Sequence, residues 1–245
     1  MNGPEKRVVI ITGASRGLGR EIAISFGRAG DRVLVNFRAR ENEARAVVDE
    51  LVRSGGEAAL FKADVRVPAE VGAMTTEAIK RWGSVDVLIN NAGLTKDGLL
   101  VRMSEQDWDD VLDTNLTGPF HCMRSAGEAM MKQGAGHIIN IASIVGVQGR
   151  EGQANYSASK SGLIGLTKAA AREWGPYNIK VNAVLPGYLP TDMGAAASDA
   201  VRERVVKENA LGRVSAPTEV AEFIYRLSLM NNVSGQMFNL DSRVL

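Results

Sequence analysis

The sequence is poor in the side chains that carry hydrolytic and metal chemistry. It has one cysteine, Cys122, and two histidines, His121 and His137. A single cysteine excludes an internal disulfide framework and fits a reducing compartment, where a buried thiol acts as a small apolar side chain. Neither histidine lies near a nucleophile-elbow motif, and no His, Cys and Asp residues have metal-ligand spacing. We therefore predict neither a Ser-His-Asp hydrolase nor a metal site.

Long apolar runs and a strong net charge are also missing. No apolar stretch approaches the roughly 20 residues that a membrane-spanning helix needs. The chain enters a strand-like run, Val8–Ile11, without the pattern of a signal peptide. The 29 basic and 28 acidic residues leave a net charge of +1, so no global field attracts nucleic acid or an anionic membrane. We expect a cytoplasmic protein that binds neither.

What the sequence does contain is a regular alternation of short apolar runs and longer helix-like stretches. The apolar runs predict strands covered on both faces: Val8–Thr12, Arg32–Asn36, Ala58–Lys62, Val85–Asn90, His137–Ala142, Ile179–Leu185 and Gln236–Leu240. The helix-like segments are Gly19–Ala29, Glu43–Ser54, Ala69–Trp82, Glu105–Met131, Ala158–Trp174 and Pro217–Leu229. This alternation predicts an α/β protein with one Rossmann-type, doubly wound parallel sheet of about seven strands and helices on both faces.

No linker or low-complexity segment divides the chain, so residues 1–245 are expected to form a single domain. The connection at about 186–213 is the exception to the short loops elsewhere. It contains Pro186, Gly187, Pro190 and Gly194 before a charged, helix-like stretch. Long connections in compact α/β folds are often binding loops, so we predict a substrate lid here.

A glycine-rich turn follows the first predicted strand, with Gly13, Gly17 and Gly19 in the spacing Gly-x-x-x-Gly-x-Gly. Such a turn lets the backbone approach a pyrophosphate at a helix N-terminus, although this spacing differs from the commoner dinucleotide fingerprint. The second predicted strand lacks the acid that usually holds a ribose 2′-hydroxyl. Arg16 and Arg38 could instead clamp a 2′-phosphate, but two solvated surface arginines would have the same pattern.

Two further segments place polar groups near the carboxyl ends of predicted strands, and a third polar residue lies inside a predicted helix. Asp64, followed by Val65, could hydrogen-bond an adenine or simply form a turn. The run Asn90-Asn91-Ala92-Gly93 closes the fourth strand, where ligands bind in open parallel sheets. Asn115 lies inside a predicted helix although asparagine has low helix propensity, which favours an inward polar role.

Tyr156 and Lys160 are four residues apart in a segment of helical composition, so they would be neighbours on one helix face. We expect the lysine cation to favour the phenolate and to lower the tyrosine pKa from about 10. A phenol tuned in this way can transfer a proton during catalysis. Ser143, after the fifth predicted strand, could cap a turn or act beside Tyr156. A chance Tyr-x-x-x-Lys on a solvated helix has the same spacing, so this pair alone leaves both interpretations open.

Together these motifs resemble the classical short-chain dehydrogenase/reductase family over essentially the whole chain. The resemblance rests on the glycine motif, Asn90–Gly93, Asn115, Ser143, Tyr156 with Lys160, and Pro186-Gly187 followed by Thr191. Within the family, segments 96–103, 152–156 and 210–213 are most similar to the 3-oxoacyl-[acyl-carrier-protein] reductases. Reductases of other ketones share those segments.

The resemblance implies a catalytic set. Tyr156 would be the general acid, Lys160 would tune it and hold the nicotinamide ribose, and Ser143 would hydrogen-bond the substrate carbonyl. Asn115 would position a water in a proton relay, and Gln153 would join Ser143 and Tyr156 at the substrate. The implied cofactor is NADP(H), with these binding residues: Gly13, Ser15, Arg16, Gly17, Leu18, Gly19, Arg38, Asp64, Val65, Asn91, Ala92, Gly93, Tyr156, Lys160, Pro186, Gly187, Leu189 and Thr191.

The implied activity is NADPH-dependent reduction of a 3-oxoacyl thioester, linked to acyl carrier protein or to CoA, by a homotetramer. A reductase of another small ketone or secondary alcohol is the first alternative, and a non-catalytic NADP(H)-binding regulator is the second. Two departures from the family matter. The usual Gly-Gly of the carboxyl tail is replaced after Asp241 by Ser242-Arg243. Basic residues expected for carrier-protein docking are replaced by Gly134-Ala135-Gly136 and by Gly175-Pro176-Tyr177, with Lys132 and Arg172 nearby.

Overall fold

Parallel strands form the centre of the fold. The structure is a computed structural model that describes residues 6–190 and 199–243, with side chains described for all of these except 199–202. Within these ranges the strands are β1 Val8–Ile11, β2 Arg32–Phe37, β3 Glu57–Lys62, β4 Val87–Asn90, β5 Gly136–Ile141, β6 Ile179–Leu185 and β7 Met237–Asn239. Each lies within two residues of a predicted strand at both ends.

The sheet has the order β3-β2-β1-β4-β5-β6-β7, and all its strands are parallel. The chain moves outward from β1 to β3, then returns to the other side of β1 with β4. This reversal creates a crevice at the carboxyl ends of β1 and β4, where open α/β sheets bind ligands. The prediction of a doubly wound parallel sheet of seven strands is confirmed.

Helices cover both faces of the sheet. In the described part of the chain they are α1 Gly17–Arg28, α2 Glu41–Arg53, α3 Pro68–Trp82, α4 Glu105–Leu112, α5 Gly118–Gln133, α6 Val145–Gln148, α7 Ala154–Trp174, α8 Asp199–Glu208 and α9 Pro217–Leu227. Alternate residues of β1 point to opposite faces, as strand geometry requires. Val9 and Ile11 pack with α1, α2 and α9, whereas Val8 and Ile10 pack with α3, α5 and α7.

The predicted helix Glu105–Met131 is interrupted, so that boundary was wrong. Ser104 caps α4 by accepting a hydrogen bond from the Asp107 N–H. One turn with π-helical hydrogen bonding, Asp113–Thr117, then separates α4 from α5. Single π turns inside helices often mark functional sites. This one contains Asn115, whose side-chain bonds described below account for the extra residue in the turn.

The predicted lid is only partly within the described residues. The first part of the predicted lid, Pro186 to Pro190, follows β6, and α8 lies in the later part of the lid. Thr191 lies outside the described residues. The carboxyl tail after β7 runs back against the later described part of this connection, through hydrogen bonds to Asn209, Ala210 and Leu211. Within the described ranges, none of the helices has the combined length and apolar character needed to cross a bilayer.

Candidate active site

The glycine-rich turn after β1 is packed too closely for side chains at two of its glycines. Gly13 has a φ of +63°, and a Cβ there would lie 2.9 Å from the Ala92 Cα. A Cβ on Gly19 would lie 2.4 Å from the Gly13 carbonyl oxygen and 2.5 Å from the Asn91 Nδ2. Gly17 has a φ of +55°, which favours glycine as the chain enters α1. The turn is therefore a bare backbone cradle of the kind that admits a pyrophosphate.

Thr12 and Asn36, which the sequence analysis did not single out, hold this cradle in place together with Asn91. The Thr12 hydroxyl accepts hydrogen bonds from the Asn91 and Ala92 N–H groups, both at 3.0 Å. The Asn91 amide donates to the Thr12 and Gly13 carbonyls at 2.9 and 3.0 Å. Asn36 at the end of β2 accepts from the Gly13 N–H at 3.2 Å. The signal in the sequence was a polar residue ending each of three otherwise apolar strands.

The N-terminus of α1 faces the same crevice. Its first turn carries no acidic side chain, and Arg16 at the N-cap makes no side-chain capping bond. The first backbone N–H groups and the helix dipole therefore favour an anion at this position. Leu18 is buried in the core beside α1, so its predicted contact with the cofactor would come through the backbone. Ser15 lies in the turn itself, partly exposed.

The arginine predicted to read a 2′-phosphate lies at the exposed carboxyl end of β2. The Arg38 side chain is 54% exposed, and one of its nitrogens lies 3.8 Å from the Asp64 carboxylate. Arg66 binds that same carboxylate through its side chain and its backbone N–H, which lowers the Asp64 pKa more than burial raises it. Val65 is buried, and its carbonyl contacts the His121 ring at 3.2 Å. Asp64 takes part in a turn, in which its carbonyl accepts from the Val67 N–H at 3.0 Å, and its contact with an adenine stays a prediction.

Tyr156, Ser143 and Lys160 come together beyond the carboxyl end of β5. The hydroxyls of Tyr156 and Ser143 are hydrogen-bonded to each other. Ser143 also accepts a bond from the Val145 N–H at 3.2 Å, which starts α6, so it both caps a turn and contacts Tyr156. Lys160 is 4% exposed. Its ammonium donates to the Ile141 carbonyl at 2.7 Å and lies 5.6 Å from the centre of the Tyr156 ring.

Burial dominates the protonation of this pair. It raises the pKa of Tyr156 to about 12, while the Ser143 hydrogen bond opposes the rise and the Asp97 carboxylate adds to it. Burial lowers the pKa of Lys160 to about 8. The expected lowering of the Tyr156 pKa was therefore wrong, because burial raises it overall and Lys160 is not among the groups that shift it. The reason is physical: removal from water disfavours the charged form of each group.

Asn115 and Lys160 both border Gly93. Asn115 is fully buried, accepts from the Leu94 N–H at 2.9 Å and donates to the Leu94 carbonyl at 2.9 Å. A Cβ on Gly93 would lie 3.2 Å from the Asn115 Oδ1 and 3.7 Å from the Lys160 Nζ. A Cβ there would be in close contact with Asn115 and in ordinary van der Waals contact with Lys160, so glycine leaves the most room between these two polar groups. The π turn of Asn115 thus fixes the segment after β4 beside the lysine.

Asn155, which the sequence analysis did not assign to the site, anchors the tyrosine. It is fully buried, and its amide donates to the Lys96 and Asp107 carbonyls at 3.0 Å. The side-chain oxygen Oδ1 of Asn155 accepts a hydrogen bond from the Tyr156 N–H at 2.7 Å. The start of α7 is therefore tied to α4. Gln153, predicted to contact substrate, is buried and donates to both carboxylate oxygens of Asp97 at 3.0 Å.

The turn after β6 completes this side of the crevice. Pro186 follows the strand, and Gly187 has a φ of +79°. A Cβ on Gly187 would lie 2.7 Å from a carboxylate oxygen of Asp241. Leu189 is buried in the core on the α1 side. Among the described residues, no three His, Cys, Asp or Glu side chains come together as metal ligands would.

The arrangement is suited to proton transfer beside a bound dinucleotide. The bare glycine cradle and the α1 N-terminus would hold a pyrophosphate, with Arg38 exposed at the adenosine end and the Tyr156 group at the other. This geometry is that of a nicotinamide-dependent oxidoreductase. A family model described as short chain dehydrogenase matches residues 7–202. The chain belongs to that family and is an oxidoreductase, so the resemblance seen in the sequence is confirmed.

Three individual proteins are similar to this chain over most of its length. The chain is 46% identical over 215 residues to the 3-oxoacyl-[acyl-carrier-protein] reductase FabG of Staphylococcus aureus strain Mu50, a match that spans 88% of this chain and 87% of that protein. It is 41% identical over 238 residues to the 3-oxoacyl-[acyl-carrier-protein] reductase of Synechocystis, over 96% and 95% of the two chains. A crystal structure of a variant actinorhodin polyketide ketoreductase with NADPH superposes with a TM-score of 0.92 at 36% identity, covering 99% of this chain and 98% of that one.

Proposed function

We propose that this protein uses NADPH to reduce the ketone of a 3-oxoacyl thioester to the 3-hydroxyacyl form. The observation that carries the proposal is the hydrogen-bonded pair of Ser143 and Tyr156 beside Lys160, at the same sheet edge as the bare glycine cradle. The 3-oxoacyl-[acyl-carrier-protein] reductases that match most of the chain support the substrate class. The NADPH-bound ketoreductase supports the cofactor.

The site fits NADPH in three ways. Gly13, Gly17 and Gly19 leave room for a pyrophosphate at the start of α1, where backbone N–H groups favour an anion. The exposed guanidinium of Arg38, with Arg16 beside the turn, suits a 2′-phosphate. Gly93 borders Lys160, and Pro186 and Gly187 follow β6, the neighbour of β5, so the nicotinamide end would lie on this side of the crevice. NADPH supplies the hydride that is added to the carbonyl carbon.

The side chains of the protein supply the proton and the electrostatic stabilisation. The Tyr156 and Ser143 hydroxyls would both donate to the ketone oxygen as negative charge develops on it. Tyr156 then transfers its proton to that oxygen. A phenol with a pKa of about 12 stays protonated at neutral pH, which suits a general acid in the direction of reduction. Lys160, which donates to the Ile141 carbonyl, would hold the ribose, and Asn115 would order a water on the path by which Tyr156 regains a proton.

The substrate is proposed to be carried on CoA or on acyl carrier protein. Carrier proteins are acidic, and a charged partner is steered by opposite charge. Here the two segments expected to carry basic residues read Gly134-Ala135-Gly136 and Trp174-Gly175-Pro176-Tyr177. We infer that the thioester and its 3-oxo group are recognised at the site itself, beside Gln153 and Ser143, and that the carrier contributes little.

A second candidate function is reduction of a different ketone, since the superposed structure is a polyketide ketoreductase that matches nearly the full length of both chains. A direct comparison of substrates separates the two. The purified protein is assayed with NADPH or NADH against a 3-oxoacyl-CoA, a 3-oxoacyl carrier-protein thioester and cyclic ketones. We expect the thioesters with NADPH to have the highest kcat/KM. Higher kcat/KM on cyclic ketones would favour the second candidate, and NADPH binding without turnover of any ketone would favour a regulator.

A further inference from the structure

The carboxyl tail joins two parts of the chain that are far apart in sequence. We call Asp241, Ser242 and Arg243 the tail clasp. At one end, the Asp241 carboxylate accepts hydrogen bonds from the Tyr188 N–H, from the Arg243 N–H at 2.9 Å and from the Arg243 guanidinium through Nε at 2.9 Å and a second nitrogen. Asp241 is therefore bonded both to the turn after β6 and to its neighbour in the tail.

The other end of the tail clasp contacts the end of α8. The Ser242 carbonyl accepts from the Ala210 N–H at 3.2 Å, and its hydroxyl donates to Asn209 at 2.8 Å. The Arg243 guanidinium also lies 3.8 Å from Glu208. Arg243 thus lies between two carboxylates, one at the turn after β6 and one at the end of α8. Its side chain is only 15% exposed.

The contact with Gly187 leaves little freedom. The φ of +79° at Gly187 belongs to the left-handed region, and the Asp241 carboxylate occupies the space that a Cβ would need. Burial is the largest influence on the Asp241 carboxyl and would raise its pKa, but the bonds from Arg243 and Tyr188 together lower it. Removal of the Arg243 guanidinium would leave a buried carboxylate without its main partner directly beneath this turn. Such a group moves or takes up a proton.

We propose that Arg243 is a positioning residue: through Asp241 it holds the Gly187–Tyr188 turn in the geometry that receives the nicotinamide end of the cofactor. This inference rests on the proposed function, because it assumes NADPH in the crevice. Arg243 does not touch the cofactor in this account. Its effect reaches the nicotinamide end through the turn, and the adenosine end, at Arg38, lies across the sheet on β2.

Two ligands distinguish an effect on the nicotinamide end from an effect on the adenosine end. NADPH contains both, whereas adenosine 2′,5′-bisphosphate contains only the adenosine end. Calorimetry with purified protein measures the Kd of each for the wild type, for Arg243→Met and for the control Arg226→Met. Arg226 is an exposed arginine on α9 that pairs with Glu222 of its own helix. Arg243→Met should weaken NADPH about tenfold, the size of a lost hydrogen bond to a charged group, and leave the bisphosphate unchanged. Arg226→Met should change neither.

Arg243→Lys keeps the charge but loses the paired donors of the guanidinium. It should bind NADPH with an intermediate Kd, and it replaces Arg243→Met in the comparison if that variant does not fold. Equal weakening of both ligands would show general destabilisation and overturn the positioning role, as would an unchanged NADPH Kd. A wild-type protein that binds neither ligand would overturn the proposed cofactor instead. The failure of the tail clasp and the failure of the proposed function are therefore distinguishable.

Discussion

The Lys160 ammonium lies over the Tyr156 ring, 5.6 Å from its centre, and donates a 2.7 Å hydrogen bond to the Ile141 carbonyl. The lysine is thus aimed at the backbone where β5 ends, and the tyrosine hydroxyl is bonded to Ser143. Both polar ends point toward the carboxyl edge of the sheet. The electrostatic cost of burying the lysine there has consequences for stability as well as for catalysis.

Replacement of Lys160 by Met should stabilise the protein while it removes activity. Burial lowers the Lys160 pKa from 10.5 to about 8, so the folded state binds fewer protons than the unfolded state between these values. The buried lysine therefore lowers the free energy of unfolding, and this reduction is largest below pH 8. The reduction becomes smaller as the pH rises toward 10.5. Chemical denaturation at pH 7 should show a gain of about 1–3 kcal/mol for Lys160→Met.

The same series at pH 10 tests the sign of this effect, since the gain should shrink there. Wild-type protein should itself become more stable relative to the variant between pH 8 and pH 10. A gain in stability that is equal at both pH values, or a loss at pH 7, would show that the folded state does not disfavour the protonated form of Lys160.

Arg38→Asp should shift cofactor preference from NADPH toward NADH. The change removes an exposed guanidinium from the end of β2 and supplies a carboxylate that can accept from a ribose 2′-hydroxyl. The ratio of kcat/KM for NADPH to that for NADH should fall by about tenfold or more. Arg40→Asp makes the same charge change two residues later and should leave the ratio unaltered. A wild-type protein that prefers NADH would contradict the role assigned to Arg38.

Gly19→Ala should disrupt the cofactor cradle. The added methyl group would lie 2.4 Å from the Gly13 carbonyl oxygen, so the turn must move. We expect the free energy of unfolding to fall by about 1–3 kcal/mol, together with weaker NADPH binding by calorimetry. Gly72→Ala in α3 is the matched control, because a Cβ there meets nothing within 4 Å and alanine favours a helix. If Gly19→Ala binds NADPH as tightly as Gly72→Ala, the cradle is misassigned.

Carrier-linked and CoA-linked substrates should be reduced with similar efficiency. The two expected docking segments read Gly134-Ala135-Gly136 and Trp174-Gly175-Pro176-Tyr177, and the net charge is +1, so charge steering should be weak. For one acyl group, kcat/KM should agree within about tenfold, or roughly 1.4 kcal/mol. The comparison is made at low and high salt, since salt screens such steering. A much larger preference for the carrier that collapses in salt would reveal a basic docking surface elsewhere.

The strands were predictable because strands buried on both faces are encoded by continuous apolar runs, as in Val8–Ile11. The boundaries of the helices were less predictable from the sequence. The π turn at Asn115 depends on bonds to Leu94, a residue 21 positions away, and no local pattern records such a bond. The single domain, the homotetramer and the cytoplasmic location stay predictions.

The sequence predicted which residues form the candidate site better than it predicted the direction of their pKa shifts. Spacing placed Tyr156 beside Lys160, but spacing says nothing of depth, and burial decided the direction of both pKa shifts. The supporting residues were missed for a similar reason. Asn155 and Asp241 act through backbone groups of other segments, and a pairing of this kind becomes visible only when the chain is folded.

The most direct test of the proposed function is Tyr156→Phe assayed with NADPH and a 3-oxoacyl-CoA. The change removes the hydroxyl that bonds Ser143 and leaves the partly buried ring in place, so the fold and the NADPH Kd should be retained. General acid catalysis contributes roughly 10²–10⁴-fold, and kcat should fall by that range. A variant with nearly wild-type kcat on the thioester would contradict the account, because proton transfer would then not depend on Tyr156.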